Sequence, residues 1–399
     1  MCAGAVRDPG REARGRGGQR QTRSRELETT VKIAVLGAKA IPYMGGIQAY
    51  VEQTGCRLVE RGHELLVYCR PKYLSAHDRG AYKGMQRVVT SGVGTKHLDA
   101  LSHTLTSALH VLRQGVDIVH IHGSGQSIVS PLLRLSRRHR IVVTIHSMDW
   151  CGAKWGSMAR LCLRSAARVP VLFAHEITAV SQTLQSFYEK SLRRRPTFVP
   201  TGVELFDPLP PGRIREFGLE GNDYLFFAGR FVREKGCHLL LDAYERLDTD
   251  KRLVIAGAAT HDDPYSQSLL ERANDRVIFV GHARGELLQE LFSNAYLFVQ
   301  PSLLEGMPVA VLEALSYGRC VVASDIAGNV EALNGHGFTF TSGNSQDLAN
   351  RLQALVADQQ TVAAHGLRAR EYIRRERSWE RTVDGLEAAY RRALRQPQN

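Results

Sequence analysis

Two glutamates stand eight residues apart in the segment EGMPVAVLEALSYG, residues 305–318, between two apolar runs. The pattern predicts a loop that turns into a helix near Met307, with Glu305 in the loop and Glu313 inside the helix. Free N–H groups at such a helix start attract a phosphate, and carboxylates beside them accept hydrogen bonds from sugar hydroxyls. Together they describe a sugar-nucleotide site. An ordinary helix whose N-terminal Glu is favoured by the helix dipole would contain the same residues.

A second segment, AGRFVREKG at residues 228–236, carries two cations at an expected strand end. Arg230 directly follows the strand, and Lys235 stands before a glycine and the apolar helix CHLLLDAYERL. Both are expected at the carboxyl edge of a sheet, where fixed positive charge would stabilise a departing diphosphate. Solvated loop charge is the alternative, and we adopt that interpretation for Arg233 and Glu234.

Short apolar runs that alternate with helical stretches supply the elements that must position these residues. The first run, VKIAVLG at 31–37, is followed by a loop with Gly45 and Gly46 and by an amphipathic stretch, which is the opening of a nucleotide-binding βα unit. Further runs are HELLVYC (63–69), VDIVHIHG (116–123), RIVVTIHS (140–147), HEITAVS (175–181), TFVPTGV (197–203), DYLFFAGR (223–230), KRLVIAGA (251–258), DRVIFVGH (275–282), AYLFVQPS (295–302) and CVVASDIAG (320–328). Such runs indicate parallel sheets covered on both faces by helices.

The proline-rich segment DPLPPGR, residues 207–213, divides this alternation in two. We therefore predict an α/β protein with two doubly wound, Rossmann-like domains, residues 31–205 and 206–377, and a cleft between their carboxyl edges. Residues 378–399 contain an amphipathic helix with Trp379, Val383, Leu386 and Tyr390 on one face. Residues 1–30 are Arg- and Gly-rich and are expected to form a disordered basic leader, either a polyanion-binding arm or, as we prefer, a dispensable extension.

The net charge of +12 is concentrated in the first domain. Residues 31–205 carry 23 Lys+Arg and 10 acidic residues, whereas residues 206–399 carry 22 and 26. A basic half suits nucleic acid, an anionic membrane or an acidic substrate. The basic segments PLLRLSRRHR (131–140) and LRRRP (192–196) contain no aromatic residue, which disfavours nucleic acid.

The segment SMARLCLRSAARV, residues 157–169, spaces Arg160, Arg164 and Arg168 four apart beside apolar residues. This is typical of an interfacial helix on anionic lipid, and a solvated helix face is the alternative. No apolar run approaches the roughly 18 residues of a spanning helix, and the N-terminus has no apolar signal core. We predict a cytoplasmic protein, with peripheral attachment at the inner face of the cytoplasmic membrane as a hypothesis.

The seven cysteines never form a CxxC pair, which favours buried thiols in a reducing compartment over disulfides or structural zinc. Asp248-Thr249-Asp250 reads as a DxD metal motif, but it lies between a helix and a strand, on the edge of the sheet away from the cleft. We therefore predict no metal and no cofactor.

The Arg230 and Glu305 segments, in this order and spacing, resemble the retaining glycosyltransferases of family 4 (glycosyl transferases group 1), which have the GT-B architecture of two facing Rossmann-like domains. The resemblance covers almost all of residues 31–395. It includes PYMGGIQAYVE, VHIHG, VVTIHSMDWCGAKWG, ITAVSQTL, FVPTGVE, FVGHARGELLQELFSNAYLFVQPSLLEG and SDIAGNVEAL. It implies that the first domain binds the acceptor, that the second binds the nucleotide sugar, and that the C-terminal helix packs back on the first.

The resemblance also assigns roles residue by residue. Arg230 and Lys235 match the diphosphate pair, Glu305 the carboxylate that reads the donor sugar, and Glu313 the one that holds the ribose. His146 matches the histidine of the active-site wall, so we predict it as catalytic together with Arg230, Lys235 and Glu305. The donor-binding set is Gly45, Gly46, Arg230, Lys235, Glu305, Gly306, Met307, Pro308, Val309 and Glu313. The expected acceptor-side residues are Gln48, His122 and Asp149, of which His122 and Asp149 have a structural role as the alternative.

Two positions depart from the family pattern. The usual Glu after the glycine loop is Gln48 here, which removes a charge near the acceptor, and the usual Asn of a PNGV motif is Thr201. The implied reaction moves a sugar from a nucleotide-diphosphate sugar to a hydroxyl with retention, the leaving phosphate taking the proton, so no side-chain base is assigned. We expect a lipid-linked or small-molecule hydroxyl acceptor, in cell-surface polysaccharide or glycolipid synthesis. The alternatives are a soluble natural-product acceptor or a GT-B sugar-nucleotide epimerase.

Overall fold

A computed structural model of the chain describes residues 30–43, 45–74, 80–93, 99–148, 157–257 and 263–396. The chain divides into Met1–Thr30 and a compact unit, Val31–Asn399. The predicted leader lies outside the described residues, apart from Thr30.

The compact unit contains two parallel sheets covered by helices. The strands are β1 (Lys32–Leu36), β2 (Glu64–Cys69), β3 (Ala81–Tyr82), β4 (Met85–Val89), β5 (Ile118–His122), β6 (Arg140–Ile145), β7 (Glu176–Ala179), β8 (Thr197–Phe198), β9 (Tyr224–Ala228), β10 (Arg252–Ala256), β11 (Val277–Gly281), β12 (Leu297–Gln300), β13 (Cys320–Ser324) and β14 (Phe338–Phe340). The helices are α1 (Gly46–Glu60), α2 (Asp99–Val111), α3 (Ser130–Leu135), α4 (Ser157–Ala166), α5 (Val169–Phe173), α6 (Gln182–Leu192), α7 (Cys237–Tyr244), α8 (Pro264–Leu270), α9 (Gly285–Asn294), α10 (Val309–Ser316), α11 (Ala327–Leu333), α12 (Ser345–Val356), α13 (Gln359–Glu376) and α14 (Trp379–Arg395).

The strand order of both sheets contains a switch point. The first sheet runs β3-β4-β2-β1-β5-β6-β7-β8 and the second β11-β10-β9-β12-β13-β14, and within them only the β3–β4 pair is antiparallel. The chain order therefore reverses at β1/β5 and at β9/β12, and ligands of open α/β sheets bind beyond the carboxyl ends at such points. The predicted doubly wound fold is confirmed, and each of the eleven apolar runs contains a strand.

Alternation along the strands fills both faces of the second sheet. Phe226 and Phe298 belong to the core on one face, with helices α9, α10 and α13. Leu225 and Phe227, which flank Phe226 in β9, belong to the core on the other face, with α7 and α12. Successive side chains of a strand point to opposite sides, and each buried Phe or Leu contributes about 1.5–3 kcal/mol relative to an exposed one.

Helix α14 packs against strands β6 and β7 of the first sheet and against helix α1. Its apolar face is buried, as its amphipathic pattern predicts, through Trp379, Val383, Leu386 and Tyr390. The segment after β8 lies close to the start of α14 at Gly202, where an added Cβ would lie 2.7 Å from the backbone of Trp379. Thr201, the departure from the family pattern, is buried beside this crossing.

Three expectations need correction. Residues 157–169 do not form one helix: α4 ends at Ala166 and α5 begins at Val169, because Pro170 has no N–H to continue the helical ladder. Arg168 therefore lies between the helices rather than on a common stripe. Cys162 is exposed rather than buried. Strands β3, β4 and β14 were not expected, since they are short and lack a continuous apolar run.

Candidate active site

Lys235 and Glu305 meet because their strands are neighbours. Lys235 lies on the loop after β9 and Glu305 on the loop after β12, and these strands pair in parallel at the switch point of the second sheet. The Lys235 Nζ donates to Glu305 Oε1 at 2.5 Å, and the side chains are 20% and 10% exposed. Gly236 makes the turn behind them: its φ is +68°, and an added Cβ would lie 2.0 Å from the Pro301 carbonyl oxygen.

Two further side chains fix the same carboxylate oxygen. Gln300 Nε2 donates to Glu305 Oε1 at 2.8 Å, and Ser302 Oγ donates to it at 2.7 Å. Glu305 Oε2 has no hydrogen-bond partner among the described residues, so three donors orient the carboxylate while one oxygen stays available to accept from a ligand hydroxyl. Sequence reasoning missed Gln300 and Ser302. The signal in the sequence was a polar residue, Gln300, at the end of an apolar run, and the structure shows that it is buried.

Gly306 brings the donor loop against the first sheet. A Cβ at this position would lie 2.4 Å from the His146 carbonyl oxygen and 3.3 Å from Ser147 Cα. At the neighbouring contact a Cβ on Gly46 would lie 4.0 Å from the Val309 side chain. Behind the loop, a Cβ on Gly328 would meet the Glu305 carbonyl oxygen at 2.8 Å. At Gly306 and Gly328 only a residue without a side chain allows this approach, whereas the contact at Gly46 has ordinary van der Waals spacing.

His146 forms one face of the site in a neutral state. His122 Nδ1 and His146 Nε2 share a hydrogen bond of 2.9 Å, and the edge-on ring of Tyr50 lies 4.9 Å from His146 between ring centroids. Burial lowers the pKa of His146 to about 3 and, with the nearby histidines, lowers the pKa of His122 well below its ordinary value. His146 at neutral pH therefore offers hydrogen bonds and no charge. The contact of the buried Tyr50 ring with His146 was not predicted.

Helix α10 presents its N-terminus beside these groups. It begins at Val309 rather than Met307, because Pro308 disfavours helical geometry in the residue before it and serves as the N-cap. The first N–H groups of a helix have no intrahelical acceptor and remain available to an anion. Glu313, one turn on, is partly buried, no described residue donates a hydrogen bond to its carboxylate, and burial raises its pKa to about 7.

Two other predicted residues, Arg230 and Gln48, make none of the contacts described above. Arg230 follows β9 and is exposed, with no side-chain partner among the described residues. Gln48 is buried in the first turn of α1, where its Oε1 lies 2.4 Å from the position of a Cβ on Gly45, whose φ is +132°. Asp149 lies outside the described residues.

Across the described ranges, no group of three or more His, Cys, Asp and Glu side chains could hold a metal ion. The pair Asp248 and Asp250 lies before β10, at the amino edge of the second sheet, whereas Lys235 and Glu305 lie at its carboxyl edge. The expectation of a metal-free site remains a prediction. Within the same residues, no helix is long and apolar enough to cross a membrane.

The fold and this site define a two-domain α/β transferase of the GT-B class, and comparison with known proteins gives the family. Residues 214–374 match the model of the glycosyl transferases group 1, and residues 44–205 match that of glycosyltransferase family 4. The chain belongs to this family. It is a hexosyltransferase-type glycosyltransferase that uses a nucleotide-sugar donor.

The relatives differ in what they act on. The chain is 29% identical to the alpha-maltose-1-phosphate synthase of Mycobacterium tuberculosis, over 67% of this chain and 78% of that protein. It is 27% identical to the D-inositol 3-phosphate glycosyltransferase of Geodermatophilus obscurus, over 87% and 84%. Among solved structures, the sucrose-phosphate synthase of Thermosynechococcus elongatus superposes with a TM-score of 0.78 at 20% identity, covering 90% of this chain and 98% of that one, which supports the fold.

Proposed function

We propose that this chain transfers a hexose, with retention of configuration, from a nucleotide-diphosphate sugar to a hydroxyl of an acceptor in cell-surface polysaccharide or glycolipid synthesis. The observation that carries the proposal is the oriented Glu305 carboxylate, held by Lys235, Gln300 and Ser302 at the switch point of the second sheet. The Oε2 atom of this oriented carboxylate suits a sugar hydroxyl. The partly buried Lys235 ammonium and the N-terminus of α10, on adjoining loops, suit a diphosphate bound beside that hydroxyl.

The reacting bond lies between these two groups. The bond from the anomeric carbon to the diphosphate oxygen breaks, and Lys235, Arg230 and the N–H groups at the start of α10 stabilise the negative charge that collects on the leaving phosphate. Lys235 gives one N–H to Glu305 and has two more for phosphate oxygens. Arg230, which is exposed, would be ordered by the donor.

The proton of the acceptor goes to the leaving phosphate. Bond formation on the same face of the sugar retains configuration and places the attacking hydroxyl next to the departing phosphate oxygen. An efficient general base has a pKa near the working pH, whereas the pKa of His146 is lowered to about 3. His146 is therefore proposed to hold a donor-sugar hydroxyl as a neutral ring, and no side chain is assigned as the base.

The donor assignment is tested by thermal shift with UDP-, GDP-, ADP- and TDP-sugars, followed by NMR of the product's anomeric configuration. We expect one nucleotide to stabilise the wild type and the product to retain the donor's configuration. Lys235→Met should lose the stabilisation, whereas Arg233→Gln, a change on the same loop, should keep it. An inverted product, or equal stabilisation of wild type and Lys235→Met, would contradict the mechanism.

We further propose that the first domain attaches to anionic lipid. Leu101, Leu105 and Leu109 form an exposed stripe along α2, and Leu161 on α4 is also exposed. Helices α2, α3 and α5 all contact the turn at residues 126–129, and α4 contacts α5; α3 carries Arg134 and α4 carries Arg164. Exposed apolar side chains beside arginines suit an interfacial surface on anionic membranes.

Vesicle sedimentation tests the attachment. At low salt we expect recovery with phosphatidylglycerol vesicles and little with phosphatidylcholine vesicles, and the substitution Leu105→Asp should reduce it. Leu270→Asp changes a similarly exposed leucine on α8 of the second domain and should have no effect. Equal recovery with both lipids would contradict the proposal.

A further inference from the structure

A cationic and aromatic cluster lies at the carboxyl edge of the first sheet, whereas the Lys235–Glu305 pair lies at the carboxyl edge of the second. We call it the β1–β2 cluster, and its members are Lys39, Tyr43, Arg70, Lys72 and Tyr73. The first two lie on the loop after β1, which leads into the glycine pair, and the other three follow β2. Strands β1 and β2 pair in parallel, and the Arg70 N–H donates to the Lys39 carbonyl at 2.7 Å, so the two loops form one unit.

The tyrosine rings of the cluster contact one another and the lysines. Tyr43 and Tyr73 meet edge to face with centroids 4.9 Å apart. The Nζ of Lys39 lies 5.5 Å and 5.3 Å from their centroids, and that of Lys72 lies 5.1 Å from Tyr73. Tyr43 is 39% exposed. Cation–π contacts of this kind hold the ammonium groups in place, while the exposed part of Tyr43 remains accessible to a sugar or polyol.

Arg70 carries an unused donor in this cluster. Its side chain is buried, with 7% exposure, yet its Nε has no hydrogen-bond partner among the described residues. Its Nη1 and the Nζ of Lys72 both donate to one oxygen of Asp99, at 3.1 Å and 2.8 Å, so two cations share a single carboxylate. A buried N–H without an acceptor is costly, and a bound oxyanion would supply both the acceptor and the missing charge.

His103 adds no charge to this balance. It lies one turn after Asp99 on α2, it is 1% exposed, and burial lowers its pKa to about 4. The imidazole is therefore neutral at physiological pH. The Arg70 and Lys72 pair keeps one positive charge beyond the carboxylate that it contacts.

The position of the cluster indicates which substrate would carry the bound oxyanion. The loop that carries Tyr43 continues into Gly45 and Gly46, and Gly46 faces Val309 at the start of α10. The cluster thus lies on the first-sheet side of the contact, whereas the donor groups lie on the second-sheet side. Resting on the proposed function, we propose that the β1–β2 cluster binds a phosphate group carried by the acceptor, with Arg70 and Lys72 donating to its oxygens and the tyrosine rings packing on the adjoining sugar or polyol.

The first test titrates inorganic phosphate into the full chain by calorimetry. We expect Lys72→Met and Arg70→Lys each to weaken phosphate binding by about tenfold, since each removes a charge-assisted hydrogen bond. Lys235→Met, in the donor site, and Lys32→Met, at the amino end of β1, should leave binding at this cluster unchanged. Unaltered binding in both Lys72→Met and Arg70→Lys, or loss only in Lys235→Met, would overturn the proposal.

The second test separates this site from the donor site and identifies the source of the phosphate. The stabilisation by nucleoside diphosphates should survive in Lys72→Met and Arg70→Lys, which also shows that these variants fold. Its absence in the wild type would count against the proposed function and not against this cluster. Glucose 6-phosphate competing with inorganic phosphate indicates a soluble acceptor, and phosphatidylinositol vesicles competing indicate a lipid acceptor. If neither competes, the site does not serve an acceptor and the proposal fails.

Discussion

The raised pKa of Glu313 makes a prediction about both stability and donor binding. Burial raises the pKa of this carboxyl from its ordinary 4.5 to about 7, and no described group donates a hydrogen bond to it. Between these two pH values the folded protein keeps a proton that the unfolded chain releases. The stability that Glu313 contributes is therefore fully present below pH 4.5, falls as pH rises, and is lost above about pH 7.

The substitution Glu313→Gln removes this loss without changing the shape of the side chain. A rise in pKa from 4.5 to about 7 corresponds to about 3 kcal/mol if the carboxylate gains no solvation, at 1.36 kcal/mol per pH unit. Because Glu313 is partly exposed, water reduces this penalty, and we expect Glu313→Gln to be more stable than wild type by roughly 1–2 kcal/mol at pH 8. For a domain of this size, each kcal/mol of added stability raises Tm by about 2–4 °C.

Differential scanning fluorimetry between pH 5 and pH 8 checks this expectation. The gap between variant and wild type should be small at pH 5 and grow toward pH 8. Glu271→Gln, an exposed glutamate of the same domain, is the matched control and should follow the wild type. If Glu313→Gln is no more stable than wild type at pH 8, the carboxylate is solvated or paired and the reasoning is refuted.

Donor binding should respond in the opposite direction. In the ribose-binding role predicted for Glu313, the ionised carboxylate is the form that would accept hydrogen bonds from both ribose hydroxyls, so a bound donor would lower the pKa of Glu313. Donor affinity of the wild type should then fall by up to tenfold per pH unit below pH 7, because the proton must first be released. Glu313→Gln should bind about tenfold more weakly at pH 8 and lose this pH dependence. A wild-type affinity that is constant from pH 5.5 to pH 8 would contradict the ribose role.

Three other predictions address the remaining groups of the site. Glu305→Ala should lower transfer by about a hundredfold or more, since a preorganised polar group is lost, while Glu234→Ala on the other donor loop should keep measurable turnover in the same coupled assay. Gly306→Ala should reduce activity and stability because its Cβ would lie 2.4 Å from the His146 carbonyl oxygen, whereas Gly115→Ala, with open space around it, should match wild type in both. Treatment with EDTA should leave transfer unchanged, and inactivation that is reversed by added Mg²⁺ or Mn²⁺ would show that a metal is required.

The sequence predicts for a physical reason that Lys235 and Glu305 lie at the same edge of the second sheet. Arg230 and Lys235 follow one apolar run and Glu305 follows another, and parallel strands end at a common edge, so loops from adjacent strands must lie together. The order of the apolar runs along the chain does not show which strands are adjacent in the sheet. The Lys235–Glu305 contact requires β9 and β12 to pair, across two intervening strands in the chain, and that pairing comes from the structure.

Contacts between distant segments were less predictable. The His122–His146 hydrogen bond depends on the pairing of β5 with β6 and on how each loop leaves its strand. Periodicity records which residues face a core, and it carries no information on side-chain direction beyond a strand end. Asp99 joining Arg70 and Lys72 was missed for the same reason, because α2 reaches that edge only through the tertiary fold.

Helix α11 contacts both sides of the site, through its one glycine, Gly328, and its one carboxylate, Glu331. Gly328, in the first turn of α11, lies against the backbone of Glu305, while Gly306 lies against that of His146. At the end of the same helix, Glu331 accepts from the Thr183 N–H at 3.0 Å and from its hydroxyl at 2.8 Å, so it caps the N-terminus of α6 on the first sheet. One short helix thus supports the donor loop and also anchors it to the opposite sheet. The spacing of the donor loop from His146 is therefore set by packed backbone, where shifts are costly, together with the Glu331 cap on α6.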